Sequence, residues 1–292
     1  MRVRRTLLYI PGNSPSMMIN SPVLGADCVV FDIEDAVSTD DKDAARILIR
    51  NALKWVHRDK IEYCVRINDI TTPYWQKDLK ATVVSRPDAL AVPKVECAED
   101  LEMVSDYVLE LEKEYNLPPY SIKFHPIIET ALGIENTFSI GKSCKERIET
   151  LTLGGEDYVT SISALRSDGG GEMLYARQRI VNAAHALGLQ PIDTVHSNID
   201  NIDALISDTK FSRQIGFAGR IIVSPRHINI ANGIYSPSEK DILYAQEVLD
   251  TLEAAKAAGK GAVSLYGKML DGPMITRAEH VLAFAKLIEG GQ

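Results

Sequence analysis

Apolar residues in this chain fall into short runs that alternate with longer amphipathic stretches. Thr6–Ile10, Cys28–Ile33, Glu62–Ile67, Ala89–Val92, Lys123–Ile128, Leu151–Gly154, Ile192–Val195 and Arg220–Val223 are short and mostly apolar. Strands buried on both faces of a parallel sheet read this way. The stretches between them carry the helical period. Ala45, Leu48, Ile49, Ala52, Leu53 and Val56 recur at helical spacing within 42–58, and Leu101, Val104, Val108 and Leu111 share one face within 99–115. Further helices are predicted over 133–140, over 172–187 with Gly188 as its stop, and over 202–215 with Gly216 as its stop. Ser14 and Pro15 read as the N-cap and first residue of a helix after the first strand.

Strands separated by helices or helix-length gaps predict an α/β fold, a (β/α)8 TIM barrel, within residues 1–230. An open doubly wound sheet is the competing topology. It would need a glycine-rich dinucleotide fingerprint after the first strand, and Pro11-Gly12-Asn13-Ser14-Pro15 is not one. Residues 231–292 exceed what a barrel requires. Ser236-Pro237-Ser238-Glu239 reads as a capping box that opens a helix through Ala258. A glycine-rich excursion over 261–273 carries Asp271, and a last helix covers 275–288. This additional C-terminal segment is expected over the barrel mouth, against its bottom or on a neighbouring subunit.

Composition narrows the function classes. The 292 residues carry 32 basic and 40 acidic side chains, a net charge of −8, which argues against a nucleic-acid partner. No apolar run reaches the length of a membrane span, and Met1–Arg5 lead straight into a strand without the apolar core of a signal peptide. Cys28, Cys64, Cys97 and Cys144 include no C-x-x-C pair, so a zinc site is not expected and a reduced, cytoplasmic protein is.

Charged residues close several of the apolar runs. Barrels place their chemistry at the C-terminal ends of their strands, so these charges could converge on one mouth. Leu151–Leu153 lead into Gly154-Gly155-Glu156-Asp157, with the glycines read as allowing a tight turn. Phe124–Ile128 end in Glu129, Tyr63–Val65 in Arg66, and Val29–Phe31 in Asp32, Glu34 and Asp35. Glu129 and Asp157, on adjacent strand ends, suit Mg²⁺, which takes oxygen ligands and few protein groups; two solvated or salt-bridged acids are the plain alternative. Arg66 could hold a carboxylate in a bidentate fork or pair with Asp32, Glu34 or Asp35, and both can hold together. Asp32 is expected inside the barrel, with Glu34 and Asp35 at the rim. Lys94 is read as a charge partner for nearby acids, with a Schiff-base role as the alternative. His125, His196 and His227 lie in or after strands without ligand spacing, and His57 and His185 lie on helices; all are expected to be structural.

The motifs Arg4-Arg5-Thr6-Leu7-Leu8-Tyr9-Ile10-Pro11-Gly12-Asn13, Phe31-Asp32-Ile33-Glu34-Asp35-Ala36-Val37, Val65-Arg66-Ile67-Asn68, Val92-Pro93-Lys94-Val95-Glu96, Ile128-Glu129-Thr130, Gly155-Glu156-Asp157-Tyr158 and Gly267-Lys268-Met269-Leu270-Asp271-Gly272-Pro273 occur in that order along nearly the whole chain. Together they resemble the citrate-lyase-beta-like and malyl-CoA lyase family of Mg²⁺-dependent barrel lyases. The resemblance implies cleavage of a citryl thioester, as citryl-CoA or on an acyl carrier, to oxaloacetate and an acetyl thioester. Citramalyl-CoA, malyl-CoA and a non-catalytic assembly role are the alternatives. It implies Glu129 and Asp157 as Mg²⁺ ligands, with Glu129 also facing substrate, and Arg66 as the clamp on the oxaloacetate carboxylate. It implies Asp271 as a catalytic group offered to an adjacent subunit. It also implies a homo-oligomer, a trimer or hexamer, working with the alpha and gamma (acyl carrier) subunits of citrate lyase. The chain departs from the family pattern at Ser224 and His227 near the eighth strand and at His196 after the seventh, which bears on acyl specificity.

Overall fold

The computed structural model describes residues 2–56, 61–257 and 263–290. Eight parallel strands close into a barrel in sequence order, with the last paired to the first. They are β1 (Thr6–Pro11), β2 (Cys28–Asp32), β3 (Glu62–Arg66), β4 (Ala89–Val92), β5 (Lys123–Ile128), β6 (Thr150–Leu153), β7 (Gln190–Asp193) and β8 (Gly219–Ile222). The helices in chain order are α1 (Pro15–Asn20), α2 (Lys42–Ala52), α3 (Trp75–Thr82), α4 (Ala98–Glu114), α5 (Ala131–Glu135), α6 (Thr137–Lys142), α7 (Gly155–Ser161), α8 (Leu174–Leu187), α9 (Ile202–Gln214), α10 (Ile228–Tyr235), α11 (Glu239–Ala257) and α12 (Gly272–Gly290).

Side chains alternate across each strand, so every second residue enters the barrel. Leu7, Cys28, Val30, Cys64, Ala89, Ala91, Ile127, Ile192 and Ile221 form one buried interior cluster. Both faces of β2 and β4 are buried throughout, which is why these strands read as unbroken apolar runs. The amphipathic helices bury the complementary stripe: Ala45 and Ile49 of α2, and Leu101, Val104 and Val108 of α4.

The barrel floor carries a buried polar knot. Arg4 forks both oxygens of Glu62, at 2.6 and 2.7 Å, and also reaches Glu149 and Gln190. Cys28, Glu62 and His125 bring potential ligand atoms within 4.8 Å of one another. Arg4 already supplies the cation there, so this cluster is structural. Cys28 and Cys64 are fully buried, and burial pushes both thiols well above their usual range.

Arg4–Asn232 form one compact unit, and the described residues of Met1–Val3 with Gly233–Gln292 form a second. In the second unit Ala245, Val248 and Ala278 pack together with Leu249, Leu265, Leu270, Val281 and Leu282. A two-stranded hairpin, β9 (Ser264–Leu265) with β10 (Lys268–Met269), lies between α11 and α12.

Several element boundaries differ from the sequence reading. The helix predicted over 42–58 ends at Ala52; its last predicted residue, Arg58, and His57 lie outside the described residues. The helix predicted over 133–140 is two short helices meeting at Asn136, whose amide donates to the Glu96 carbonyl at 2.9 Å. Ser14 precedes α1 without a side-chain cap hydrogen bond. The capping box opening α11 is Ser238 with Asp241, each donating to the other's side chain, two residues beyond the predicted one. Gly261 and Ala262 of the glycine-rich excursion, and Ala258 at the predicted end of α11, lie outside the described residues.

Candidate active site

A cavity of about 520 Å³ opens at the C-terminal mouth of the barrel. Asp32, Asp35, Arg66, Glu129, Gly154, Gly155, Glu156, Asp157 and Thr194 supply its polar wall, and Ile127, Val195, Ile221 and Val223 part of its apolar wall. The charged strand ends picked out from sequence thus meet in one place.

Arg66 closes β3 and meets Asp32, which closes β2 and pairs with it in register. Its Nε and Nη2 donate to Asp32 Oδ1 and Oδ2 at 2.7 and 2.6 Å. Nη1 lies 2.8 Å from Glu34 Oε2, a charge contact, and the guanidinium stands 5.2 Å from the centre of the Tyr9 ring. Burial opposes the arginine's charge, but the Asp32 and Glu34 carboxylates outweigh it and hold the guanidinium firmly protonated. The edge turned to Asp32 is occupied. Arg66 also lines the cavity, which puts the guanidinium beside the space a ligand carboxylate would enter.

Asp32 is buried and inside the barrel, as expected, and its oxygens also accept the Glu34 and Ala36 amides at 2.9 and 3.1 Å. Asp35 is exposed at the rim. Glu34 is not at the rim: it is 5 % exposed, held between Arg66 and Lys94 Nζ, the latter at 2.6 Å. The paired cations make that burial tolerable. Lys94 is a charge partner, as read from the sequence.

Glu129 follows β5 and is buried. Its Oε1 accepts the Lys94 amide at 2.7 Å. Burial, then the neighbouring charges of Glu34 and Asp157, push its carboxyl up to about 8. A buried carboxyl that two further acids crowd favours a cation at the same point. Asp157 is half-buried in the first turn of α7. Hard carboxylate oxygens on adjacent elements around an open cavity are a donor set that fits Mg²⁺.

Gly154, between β6 and α7, corrects one sequence reading. Its φ of −92° is open to any residue, so a tight turn does not require it. A Cβ placed there would come within 2.5 Å of the Cβ of Glu129, so glycine is required for space. Gly155 is clamped as well: its amide donates to Thr194 Oγ1 at 2.9 Å. Thr194 is set in turn by Asp193, whose Oδ1 accepts its amide at 2.9 Å, and by Arg220, which donates to its carbonyl at 3.1 Å. Asp193 and Arg220 belong to a buried cluster with Arg177 and Asp208 on the outer side of β7 and β8. The Ile192-Asp193-Thr194-Val195 run is part of the family resemblance in the sequence, but the role of Thr194 and of this cluster in holding Gly155 does not show there.

The family departures do not line the cavity. His196 is buried behind it with Nδ1 3.9 Å from Asp208, and burial and Arg220 lower its pKa. His227 shares a 2.9 Å hydrogen bond with the Ile199 carbonyl, and its amide donates to the Ser224 carbonyl. His125 lies inside the barrel 3.7 Å from Glu62, and His185 meets the Gly216 carbonyl at 3.0 Å. Asp271, in the second unit, is exposed, and its Oδ1 caps α12 by accepting the Met274 amide at 3.0 Å.

A family profile described as HpcH/HpaI aldolase/citrate lyase matches residues 5–225. The chain belongs to this family. It is 38% identical over 284 residues to citrate lyase subunit beta of Leuconostoc mesenteroides subsp. cremoris, covering 97% of this chain and 94% of that one. It is 32% identical over 296 residues to mitochondrial citramalyl-CoA lyase of Rattus norvegicus, covering 98% and 87%. Among solved structures, CitE from Mycobacterium tuberculosis in complex with magnesium, acetoacetate and coenzyme A matches at 26% identity, with a TM-score of 0.79 over 97% of this chain and 98% of that one.

Proposed function

We infer that the protein is a Mg²⁺-dependent carbon–carbon lyase that cleaves a citryl thioester to oxaloacetate and an acetyl thioester. The observation that carries this reading is the convergence of Arg66, Glu129 and Asp157 on one cavity, in a chain of the HpcH/HpaI aldolase/citrate lyase family. The likeness to citrate lyase subunit beta and to a CitE structure that holds magnesium and coenzyme A supports the metal and the thioester.

Glu129 and Asp157 would hold Mg²⁺, with the Lys94 amide orienting Glu129. When bound, the metal supplies a Lewis acid that makes the substrate's tertiary hydroxyl easier to deprotonate. Arg66 forks the carboxylate next to the forming keto group and aligns the breaking bond. Asp32 fixes the guanidinium plane so that it does not reorient during the reaction. The leaving fragment is a thioester enolate, which needs a proton. Asp271 of a neighbouring subunit would fit that task once its carboxylate has taken up the proton the hydroxyl loses, so that the cleavage balances; the working unit is then a homo-oligomer, a trimer or hexamer. Residues 1–230 then form the catalytic domain, and 231–292 serve the neighbour's site. Alpha and gamma subunits of citrate lyase are the proposed partners, with the gamma subunit carrying the acyl group, and the cytoplasm is the proposed location. Among the described residues no helix is long and apolar enough to cross a membrane.

A second reading, a stand-alone citramalyl-CoA lyase, is favoured by the rat relative and by the apolar Ile127, Val195, Ile221 and Val223 wall, which suits a methyl group. Supplying citryl-CoA or citramalyl-CoA with Mg²⁺, and measuring oxaloacetate and pyruvate separately, decides between them. Oxaloacetate release from citryl-CoA is the expected result; pyruvate release alone supports the second reading.

A further inference from the structure

Lys94 is one of the few non-glycine residues with a left-handed backbone among the described residues, at φ 51°. Glycine takes that conformation without a steric penalty, whereas a side chain clashes with its own backbone there. Retained strain of this kind clusters where the surrounding structure uses the resulting geometry. What it achieves here is visible in three successive residues. Pro93 has no amide hydrogen to give to the neighbouring strand end. Lys94 turns its amide out of the ladder and onto Glu129 Oε1 at 2.7 Å. Val95 then returns to the ladder, its amide donating to the Ile127 carbonyl at 3.2 Å. The detour leaves the Lys94 amide on the Glu129 carboxylate.

The side chain of the same residue reaches the other half of the site. Lys94 Nζ lies 2.6 Å from Glu34 Oε1, and the second Glu34 oxygen lies 2.8 Å from Arg66 Nη1. One residue thus ties Glu129 through its backbone and Arg66 through Glu34.

We propose that Lys94 is a positioning residue for both halves of the site: its left-handed amide orients the Glu129 carboxylate for the metal, and its ammonium, through Glu34, holds Arg66 in register with the substrate carboxylate. This rests on the reading of Glu129 and Asp157 as Mg²⁺ ligands and of Arg66 as the carboxylate clamp. The two contributions separate by substitution. Lys94→Gly removes the ammonium and keeps the left-handed backbone accessible. Lys94→Val also removes the ammonium, but its β-branched side chain disfavours that backbone conformation.

The test is Mg²⁺ binding measured by calorimetry without substrate, followed by inhibition of Mg²⁺-loaded enzyme by oxaloacetate. Lys94→Gly is expected to bind Mg²⁺ within about threefold of wild type, and Lys94→Val about tenfold or more weakly, in line with losing a hydrogen-bonded support of a metal ligand. Both are expected to lose oxaloacetate affinity by about tenfold, and Lys94→Arg to recover most of it, because it keeps a cation on Glu34. Lys94→Ala replaces Lys94→Val should the valine chain not fold. Equal Mg²⁺ affinity in the glycine variant and the valine or alanine variant overturns the backbone role. Unchanged oxaloacetate inhibition in Lys94→Gly overturns the side-chain role. Asp157→Asn is titrated in parallel: if it binds Mg²⁺ as wild type does, the metal-ligand reading fails, and the Glu129 half of the proposal fails with it.

Discussion

Arg66 and Asp32 meet edge to edge, with two hydrogen bonds of 2.7 and 2.6 Å across neighbouring strand ends. A guanidinium so engaged on one edge, with Nη1 also 2.8 Å from Glu34, is rigid where it borders the cavity. The pairing is the structural contact; under the proposed function the same contact prepares the arginine to bind a substrate carboxylate. Rigid placement before substrate arrives spares the site the cost of ordering a long side chain on binding.

Arg66→Lys is expected to lower kcat/KM by about 100-fold, equivalent to about 2.7 kcal/mol of transition-state stabilisation. Lysine keeps the charge and loses the planar fork. Oxaloacetate inhibition should weaken in parallel. Steady-state kinetics with a melting curve checks this, and a variant as sensitive to oxaloacetate as wild type would shift the clamp to another cation.

Gly154→Ala is expected to displace Glu129, because the added methyl would sit 2.5 Å from the glutamate's own Cβ. Overpacking of this sort costs about 1–3 kcal/mol, which a melting curve will show as a modest loss. Mg²⁺ affinity should fall by about tenfold or more, comparable to losing an outer support of a metal ligand. An alanine variant with wild-type Mg²⁺ affinity would place Glu129 away from the metal.

Mg²⁺ binding should strengthen with pH. Without metal, burial and the charges of Glu34 and Asp157 raise the Glu129 carboxyl to about 8. Its folded pKa therefore lies above its unfolded one, and the stability it contributes is complete below about pH 4.3 and is lost as pH rises through about 8. Metal binding needs the deprotonated form. The rise in melting temperature on adding Mg²⁺ should thus be larger at pH 8.5 than at pH 6. An increment independent of pH contradicts Glu129 as a ligand.

Asp271 caps α12, a task that a catalytic role in a neighbouring subunit need not exclude. Asp271→Ala and Asp157→Ala chains are each expected to be nearly inactive, and mixed oligomers of the two to regain part of the activity. Loss of the cap alone costs about 1 kcal/mol and leaves activity in place. Demonstrably mixed oligomers without recovery would confine Asp271 to its own subunit.

The barrel is legible because parallel strands buried on both faces leave apolar runs that survive one or two residues of error at either end; the largest is at β7, read as Ile192–Val195 and observed at Gln190–Asp193. β5 was read at its observed bounds, Lys123–Ile128. α3 was read only as a helix-length gap, because Trp75–Thr82 buries few apolar side chains among Gln76, Lys77, Asp78 and Lys80. The acids and the arginine of the site were legible because charge at the end of an apolar strand is conspicuous. The parts that orient them were not. The Lys94 amide depends on a left-handed φ that no local pattern announces, and the Thr194 hydroxyl reads as any strand-end threonine. The sequence puts Glu34 at the rim because its two cations, Arg66 and Lys94, are distant along the chain.

The most direct test of the account is oxaloacetate released from citryl-CoA as Mg²⁺ is titrated, in wild type and Asp157→Asn. Saturable Mg²⁺ dependence is expected in wild type. In the variant a loss of Mg²⁺ affinity is expected beyond the roughly 10- to 100-fold that removing an outer support of a metal ligand costs, with the melting temperature of the metal-free protein little changed. Release that needs no metal, or an Asp157→Asn enzyme with the wild-type Mg²⁺ response, would contradict it.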